Sequence, residues 1–214
     1  MARFFLSYAL PESSQEGDIQ AAPTRWIRTF FKDLSEDVAL MLPIVRSRDP
    51  GYLDLAESLR PGEPWRPELL SGLGTCQVFV PLLSTPYFSS TSCGMEWYAF
   101  SQRRVVSRVS GRPGGQSPII PVLWSPVSDA DVPAAVRTMQ RFSPNDPSDC
   151  DLNAIYVENG IEGLLRMEMD AAYRKIIWKL ARRISELAAK VHVESLPFNI
   201  GELRDAFWRI NDEV

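Results

Sequence analysis

The chain has 214 residues, 45% of them hydrophobic and 23% charged, and this composition is typical of one ordinary soluble globular domain and not of a disordered chain. Its formal net charge is -4, whereas a domain that binds nucleic acid through a basic face is usually positive, so we expect no nucleic-acid partner. The three scattered cysteines and the single histidine are too few for an ordinary zinc, haem or histidine-dependent catalytic site, and they indicate a reducing compartment, the cytoplasm.

The first half of the chain predicts two strands, one helix and a long loop. Residues 3–9 form a nearly continuous apolar run, which is typical of a strand buried on both faces. A polar stretch separates this strand from a helix that begins at Pro23 and repeats apolar residues every three or four positions: Ile27, Phe30, Phe31, Leu34 and Val38. A second short strand is predicted at residues 42–45. The segment 46–67, punctuated by Pro-Gly pairs, is interpreted as a long irregular loop, and such loops in compact domains are often functional.

The second half predicts three further strands and two main helices. The strands lie at residues 77–83, 119–124 and 153–157, where apolar, aromatic and β-branched residues follow one another. The helices are predicted at about 92–106 and, as an amphipathic stripe, from 161 to about 190. The basic pairs in these helices, Arg103-Arg104 and Arg182-Arg183, are interpreted as solvated surface. No apolar run approaches the ~20 residues that a membrane helix needs, so no membrane partner is expected.

This alternation of short strands and helices predicts an α/β fold with an open parallel sheet of five strands and helices on both faces. We expect one domain over residues 1–192. Residues 193–214 are predicted to form a linker and a short helix, with Leu203, Phe207 and Ile210 as its apolar residues. This tail is a candidate connection to a partner protein or a sensor domain.

In open α/β sheets, ligands bind beyond the carboxyl ends of the strands, near the point where the strand order reverses. The candidate wall of a site is therefore formed by Ser7-Tyr8-Ala9, the loop after Val45 and the segment after Leu83. Glycine-rich loops of the Rossmann or Walker type do not occur at these strand ends. The usual dinucleotide and phosphate cradles are thus excluded.

Four segments, in order along the chain, resemble motifs of TIR domains. Residues 5–9 (Phe-Leu-Ser-Tyr-Ala) are similar to the first strand of that family, and residues 62–69 are similar to the end of its long loop. Residues 76–88 resemble its third strand with the Ser-x-x-Tyr exit, and residues 93–97 (Cys-Gly-Met-Glu-Trp) match its Cys-x-x-Glu helix start. The resemblance covers roughly residues 3–190, implies the flavodoxin-like TIR fold, and looks most like bacterial TIR-like proteins of the actinobacterial FxsC type.

Many TIR domains cleave the nicotinamide–ribose bond of NAD⁺, and the resemblance implies that Glu96 is the catalytic residue. The chemistry is reasonable, because departure of nicotinamide leaves an oxocarbenium-like ribose that a neighbouring carboxylate can stabilise. Placement near a helix start would favour the ionised carboxylate through the helix dipole. The alternative is that Glu96 only caps or decorates its helix.

The resemblance also suggests which residues would contact NAD⁺, although two positions depart from the family pattern. Ser92 occupies the position at which many enzymatic members have tryptophan. An aromatic platform for nicotinamide or adenine would then have to come from Tyr8, Tyr52, Trp65 or Trp124. Leu10 follows the first strand where some active members have arginine, so a contact to the pyrophosphate would fall to Arg46 or Arg48. The predicted substrate-binding residues are Ser7, Tyr8, Ala9, Arg46, Arg48, Tyr52, Trp65, Ser84, Ser92, Cys93 and Trp97. NAD⁺ is expected as the substrate, with no separate cofactor and no metal ligand.

Self-association is a further implication of the resemblance, because TIR domains assemble head to tail. The loop 46–67 of one copy would then close the site of the next, and its apolar residues Tyr52, Leu53, Leu55 and Leu59 suit such a contact. The same residues would equally suit packing against their own domain. Two other functions stay open: a non-enzymatic scaffold in signalling or peptide modification, and, more remotely, processing of cyclic nucleotides.

Overall fold

The computed structural model describes residues 2–10, 22–42, 50–53, 67–145 and 150–208. In chain order its elements are β1 (Phe4–Ser7), α1 (Ala22–Met41), β2 (Gly51–Leu53), α2 (Pro67–Thr75), β3 (Val78–Leu83), α3 (Thr85–Ser89), α4 (Thr91–Ser101), β4 (Val105–Ser107), β5 (Val122–Leu123), α5 (Ala134–Arg137), α6 (Cys150–Arg166), α7 (Asp170–Lys190) and β6 (Val191–Val193). A short 3-10 helix follows at Ile200–Glu202. Within this described part, no helix is both long and apolar enough to cross a membrane.

The main sheet is parallel and has the strand order β2-β1-β3-β5. The chain therefore leaves β1 toward one edge to form β2 and then returns to the other side of β1 to form β3. The strand order reverses between β1 and β3, so the switch point lies at the carboxyl ends of these two strands. The predicted α/β fold with a parallel sheet is confirmed, with four strands in the described main sheet instead of five.

The side chains of β1 alternate between two helical layers, as the period of a strand requires. Phe4 faces α1, where its ring lies 5.8 Å from that of Phe31. Phe5 points to the opposite face and stacks on Phe79 of β3 at 6.0 Å. Phe79 in turn stacks on Phe100 of α4 at 5.2 Å. Helices thus cover both faces of the sheet, and α1 and α4 lie on opposite sides.

The second strand differs from the prediction. The structure forms β2 at Gly51–Leu53, inside the segment that the sequence predicted as a loop. Of the predicted strand 42–45, Leu42 is a bend and the rest lies outside the described residues. Tyr52 pairs with Phe5 in the sheet, and their rings stack at 5.3 Å. Tyr52 and Leu53 therefore pack on their own domain, whereas Leu55 and Leu59 lie outside the described residues.

The predicted fifth strand at 153–157 is wrong, because these residues lie within α6. Leu152 and Tyr156 are buried four residues apart on one helix face, and the Tyr156 hydroxyl accepts a hydrogen bond from Leu123 N at 2.7 Å. A kink follows at Gly160, whose φ is 63°, a region that favours glycine. A Cβ there would lie 2.5 Å from the Trp124 carbonyl oxygen, so the kink lets α6 approach the end of β5 closely.

A second, antiparallel sheet joins β4 to β6, and the sequence did not predict it. The predicted helix 92–106 ends at Ser101, and residues 105–107 form β4 instead. Gln77 links this small sheet to the start of β3, because its side-chain amide donates to Val193 O and accepts from Val193 N, both at 3.1 Å. The amide side chain acts here as an extra peptide group.

Arg103 anchors the same region and corrects the interpretation of its basic pair as solvated surface. It is 5% exposed, and Nη1 donates to Leu73 O at 2.8 Å and Cys76 O at 2.7 Å. The guanidinium also donates to Val193 O at 3.3 Å and Glu194 O at 3.2 Å. Arg104, Arg182 and Arg183 are exposed or half-buried, as predicted. A guanidinium can replace water for several carbonyls at once because it has five N–H donors in a planar fork.

Residues 194–208, here called the C-terminal strap, pack on the domain. Leu196 N donates to Gly74 O at 3.1 Å, and Ala206 N donates to Gly94 O at 3.2 Å. Phe207 is 5% exposed, with ring contacts to three core aromatics. The strap contains a 3-10 helix in place of the short helix predicted around Leu203, Phe207 and Ile210, and Ile210 lies outside the described residues.

Candidate functional site

The candidate site is a chain of hydrogen-bonded side chains at the switch point. Ser7, the last residue of β1, donates its hydroxyl proton to Glu96 Oε2 on α4. The Tyr87 hydroxyl lies 2.9 Å from Ser7 Oγ. Because a serine hydroxyl has a single proton, Tyr87 must be the donor in that second bond. Tyr87, Ser7 and Glu96 therefore form one directed chain that ends on the carboxylate.

Glu96 reaches β1 because two serine caps fix the helices that follow β3. Ser84 caps α3 by accepting from Tyr87 N at 3.2 Å, and Ser90 caps α4 by accepting from Cys93 N at 3.3 Å. Cys93, Glu96 and Phe100 then share the face of α4 that looks toward the sheet. Glu96 is the sixth residue of α4, beyond the first turn in which the helix dipole acts. The hydrogen bond from Ser7, and not the dipole, is thus what holds the carboxylate.

Burial sets the protonation of the groups around Glu96. Cys93 donates its thiol to Tyr8 O at 3.4 Å, and burial, followed by the charge of Glu96, raises the pKa of that thiol well above its usual value. Burial likewise raises the pKa of Tyr87, with smaller contributions from Cys93 and Glu96. Both groups keep their protons at neutral pH. Cys93 is therefore a poor nucleophile, and Tyr87 remains a hydrogen-bond donor.

The structure brings together some of the predicted site residues. Ser7, Cys93 and Glu96 meet at the carboxyl end of β1, and Tyr8 contributes its carbonyl oxygen. Ala9 follows and, like Tyr8, is half-buried. These five residues form the described wall of the candidate site.

The remaining predicted residues have other surroundings. Ser84 is 3% exposed and serves as a helix cap, and Ser92 is half-buried at the start of α4. Trp97 is 3% exposed, and its ring lies 6.2 Å from Phe79 and 5.9 Å from Phe207 within the core. Tyr52 lies in β2 and Trp124 packs on Phe30, so both are away from the wall. Three predicted residues lie outside the described residues: Arg46, Arg48 and Trp65.

Two residues of the candidate site and its surroundings, Tyr87 and Phe207, were not identified as such from the sequence. Tyr87 is the tyrosine of the Ser-x-x-Tyr exit from β3, so its spacing from the Ser84 cap was a signal that could have identified it. Phe207 packs on Tyr87 at 5.6 Å and on Phe88 at 6.2 Å, and only the contact across the fold reveals its place beside the site. The strap is therefore connected to Glu96 through Tyr87 and Ser7.

Glu96 is 8% exposed, and among the described residues it is the only acidic side chain that is buried. Burying a carboxylate is costly unless hydrogen bonds compensate, so such groups are enriched at functional sites. A fixed carboxylate beside a hydroxyl can stabilise a developing positive charge and can accept hydrogen bonds from a sugar. In the described ranges, no group of three or more histidine, cysteine or acidic side chains is arranged to hold a metal ion.

Comparisons with known proteins agree with this geometry. A family model for the TIR domain matches residues 25–154, which is more than half of the chain and includes β3, α3 and α4. Neither a curated protein nor a solved structure matches the chain significantly. With Glu96 on α4 at the switch point of a parallel sheet and this match across the centre of the fold, the chain belongs to the TIR domain family.

Proposed function

We propose that this TIR domain cleaves the bond between nicotinamide and ribose in NAD⁺, with Glu96 as the catalytic residue. The observation that carries the proposal is the buried Glu96 carboxylate, held by Ser7 where β1 and β3 reverse the strand order. Sites in open α/β sheets form at that place. The TIR family contains both such enzymes and non-enzymatic modules, so the chemistry at Glu96 decides between them.

In the proposed reaction, the bond from ribose C1′ to the nicotinamide nitrogen breaks and its electron pair leaves with nicotinamide. The carboxylate of Glu96 stabilises the oxocarbenium-like ribose. Water then adds to C1′ and releases a proton, which yields ADP-ribose; attack by an atom of the same molecule would yield a cyclic isomer. Tyr87 and Ser7 act as positioning residues, because their hydrogen bonds fix the carboxylate before substrate arrives.

Self-association is part of the proposal. The described wall holds Ser7, Tyr8, Ala9, Cys93 and Glu96, and it supplies no cation for the pyrophosphate of NAD⁺. Arg46 and Arg48 remain the proposed contacts for that group. Because Gly51–Leu53 form β2 in the sheet of their own domain, the rest of the segment 46–67 of a second copy would complete the site. The specific activity per mole of protein should then rise with protein concentration, because the competent species forms by association. A specific activity that is nonzero but independent of protein concentration would contradict completion of the site by a second copy.

The test of Glu96 is nicotinamide release from NAD⁺ by concentrated protein. Glu96→Gln keeps the shape of the side chain and an oxygen that accepts from Ser7, but it removes the charge. We expect it to lower turnover about 100-fold or more, as loss of one charge-stabilising group does in other enzymes. Glu158→Gln, an exposed glutamate on α6, is the matched control and should retain activity. Wild-type turnover in Glu96→Gln would refute the role of the carboxylate.

A second function, that of a non-enzymatic scaffold, is favoured by the packing of the aromatic rings. Trp97, Tyr87 and Phe88 are all buried around the described site, which leaves the half-buried Tyr8 as the one aromatic side chain of the described wall on which nicotinamide could stack. A scaffold would associate in light scattering and release no nicotinamide at any concentration. The same titration therefore separates an assembling enzyme, a monomeric enzyme and a scaffold.

We extend the proposal to origin and location. The Cys-Gly-Met-Glu-Trp start of α4 supports a bacterial protein similar to the actinobacterial FxsC type, acting in signalling or anti-phage defence. Cys76 and Cys93 are free and buried, which suits the reducing cytoplasm. The C-terminal strap offers a route by which a partner or sensor domain would act on the site.

A further inference from the structure

A cleft separate from the candidate site lies along α7. Its three walls are α7, the segment 116–120 that leads to β5, and the segment 138–145 that follows α5. It encloses about 570 Å³, which is within the range of small-molecule sites in proteins. We call it the basic cleft because of the side chains that line it.

The charge of the basic cleft is opposite to that of the whole protein. Lys179, Arg182 and Arg183 lie on one face of α7, and Arg141 faces them from the segment after α5. Glu186 is the only carboxylate among the described lining residues, and Asp129, outside the lining, pairs with Arg141 at 2.7 Å, so the cleft has an excess of two positive charges. The chain as a whole carries a net charge of -4. Cations gathered in a concave surface of an otherwise acidic protein attract an anionic ligand.

Three guanidinium groups of the cleft are held in place by neighbouring side chains. Arg183 Nη1 donates to Gln116 Oε1 at 3.2 Å, and Arg182 Nε donates to Glu186 Oε1 at 2.8 Å. Arg141 Nη2 donates to Asp129 Oδ1 at 2.7 Å. Each of these bonds occupies one of the five N–H donors of a guanidinium, so donors remain for phosphate oxygens.

Part of the lining of the cleft is apolar, and we call this part the floor. Ile119, Ile120 and Met139 line it together with Phe142. Phe142 is fixed by a hydrogen bond from its N to Pro121 O at 2.8 Å and by an edge contact of its ring with Tyr156 at 5.8 Å.

Gln140 and Asn145 of the same segment also line the cleft and carry amide side chains. An apolar floor with a few polar groups is the usual environment of a flat heterocycle.

The basic cleft lies at the other end of the sheet from Glu96. Ile119 pairs with Phe79, the second residue of β3, whereas Ser7 and Glu96 meet at the carboxyl ends of the strands. A ligand in the cleft would therefore not occupy the site proposed for NAD⁺ cleavage.

We propose that the basic cleft binds a nucleotide with at least two phosphates, its base on the apolar floor and its phosphates against Arg141, Lys179 and Arg183. The inference does not depend on NAD⁺ cleavage. It assigns to this TIR domain a second ligand site, on a face that no part of the Glu96 chemistry uses.

The test is calorimetric titration of the whole protein with ADP at low and moderate salt. We expect binding that weakens about tenfold or more in Arg183→Glu and in Arg141→Glu, which reverse charges on opposite walls. Arg28→Glu, the same charge reversal at an exposed position of α1, is the matched control and should bind ADP as the wild type does. Weaker ADP binding in Arg183→Glu and Arg141→Glu but not in Arg28→Glu places the ligand in the basic cleft and not in the candidate active site.

Two further ligands test the two halves of the proposal. Adenosine, which lacks phosphate, should bind at least tenfold more weakly than ADP, and inorganic pyrophosphate should also bind more weakly because it cannot use the floor. Pyrophosphate binding as tight as that of ADP would overturn the nucleotide assignment. Absence of ADP binding, or equal binding by Arg183→Glu, Arg141→Glu and wild type, would overturn the site altogether.

Discussion

Replacement of Gly94 by alanine should destabilise this protein, although the same change in an ordinary helix is stabilising. Gly94 belongs to α4, where helix propensity alone would favour alanine by about 0.8–1 kcal/mol. A Cβ at this position would lie 2.7 Å from Asp205 Cγ and closer still to Asp205 Oδ1. Because two atoms cannot share that space, the Asp205 side chain has to leave its position and give up its hydrogen bond from Phe207 N at 2.8 Å. The same Cβ would lie 3.3 Å from Ala206 N, which is also tight, so we expect this part of the C-terminal strap to shift and the substitution to be destabilising.

The size of the effect follows from what the strap contributes. The Ala206 N to Gly94 O hydrogen bond, at 3.2 Å, is worth about 1 kcal/mol net. Phe207 is 5% exposed, and removing a buried phenylalanine side chain altogether costs about 3–5 kcal/mol. A displaced ring keeps part of that packing. After the gain in helix propensity is subtracted, we expect Gly94→Ala to lower the free energy of unfolding by about 2–3 kcal/mol.

Urea denaturation of a double-mutant cycle isolates this contact. Asp205→Ala removes both clashing atoms and leaves Ala206 N, at 3.3 Å, as the nearest neighbour, so in that background Gly94→Ala should lose most of its destabilising effect. Gly201→Ala is the matched control on the strap, since its nearest neighbour would be Asn199 Oδ1 at 3.8 Å. Equal destabilisation by Gly94→Ala in both backgrounds, or none in the wild type, would refute the reasoning.

Three other substitutions test the packing around the site by denaturation. Arg103→Met leaves buried carbonyl oxygens without donors and should cost about 3 kcal/mol, whereas Arg104→Met, whose parent side chain is 60% exposed, should cost less than about 0.5 kcal/mol; similar values for the two would contradict the anchoring role. Tyr87→Phe deletes only the donor to Ser7 and should cost about 1 kcal/mol, so an unchanged stability would argue against the hydrogen-bonded chain. Burial raises the pKa of Asp205 above 3.8, so the folded state binds a proton that the unfolded state has released, and stability falls as pH rises from 3.8 through the raised pKa. Asp205→Asn should lack this fall, and parallel pH profiles for the two proteins would contradict it.

The sequence predicted those parts of the fold that depend on local pattern. The runs that became β1 and β3 are continuously apolar and buried on both faces, so periodicity and composition agree. The position of Glu96 followed from the spacing of the Cys-x-x-Glu motif. Its partner Ser7 was predicted as a wall residue, and the hydrogen bond between them needed the structure.

Predictions failed where distant contacts outweigh local preference. Residues 153–157 include Ile155 and Val157, which favour strands, yet Leu152 and Tyr156 gain more by burying one helix face. The sequence around Arg103 predicts an exposed side chain. Its four carbonyl partners come together only where α2, β6 and the strap contact one another in the folded chain. Phe207 was predicted as an apolar residue of a short tail helix, and its spacing from Leu203 does not show that it packs beside Tyr87.

The antiparallel pairing of β4 with β6 has a consequence for synthesis of the protein on the ribosome. Arg103 and its acceptor Val193 are 90 residues apart, and translation at about 5–20 residues per second separates their appearance by roughly 5–20 s. Because Val193 has not yet been made during that interval, the Arg103 guanidinium and the Gln77 amide lack this partner. The nascent chain then contains β3 but not the second sheet. The second sheet therefore forms only after residues 191–194 have been made, and the packing of Phe207 beside Tyr87 comes later still.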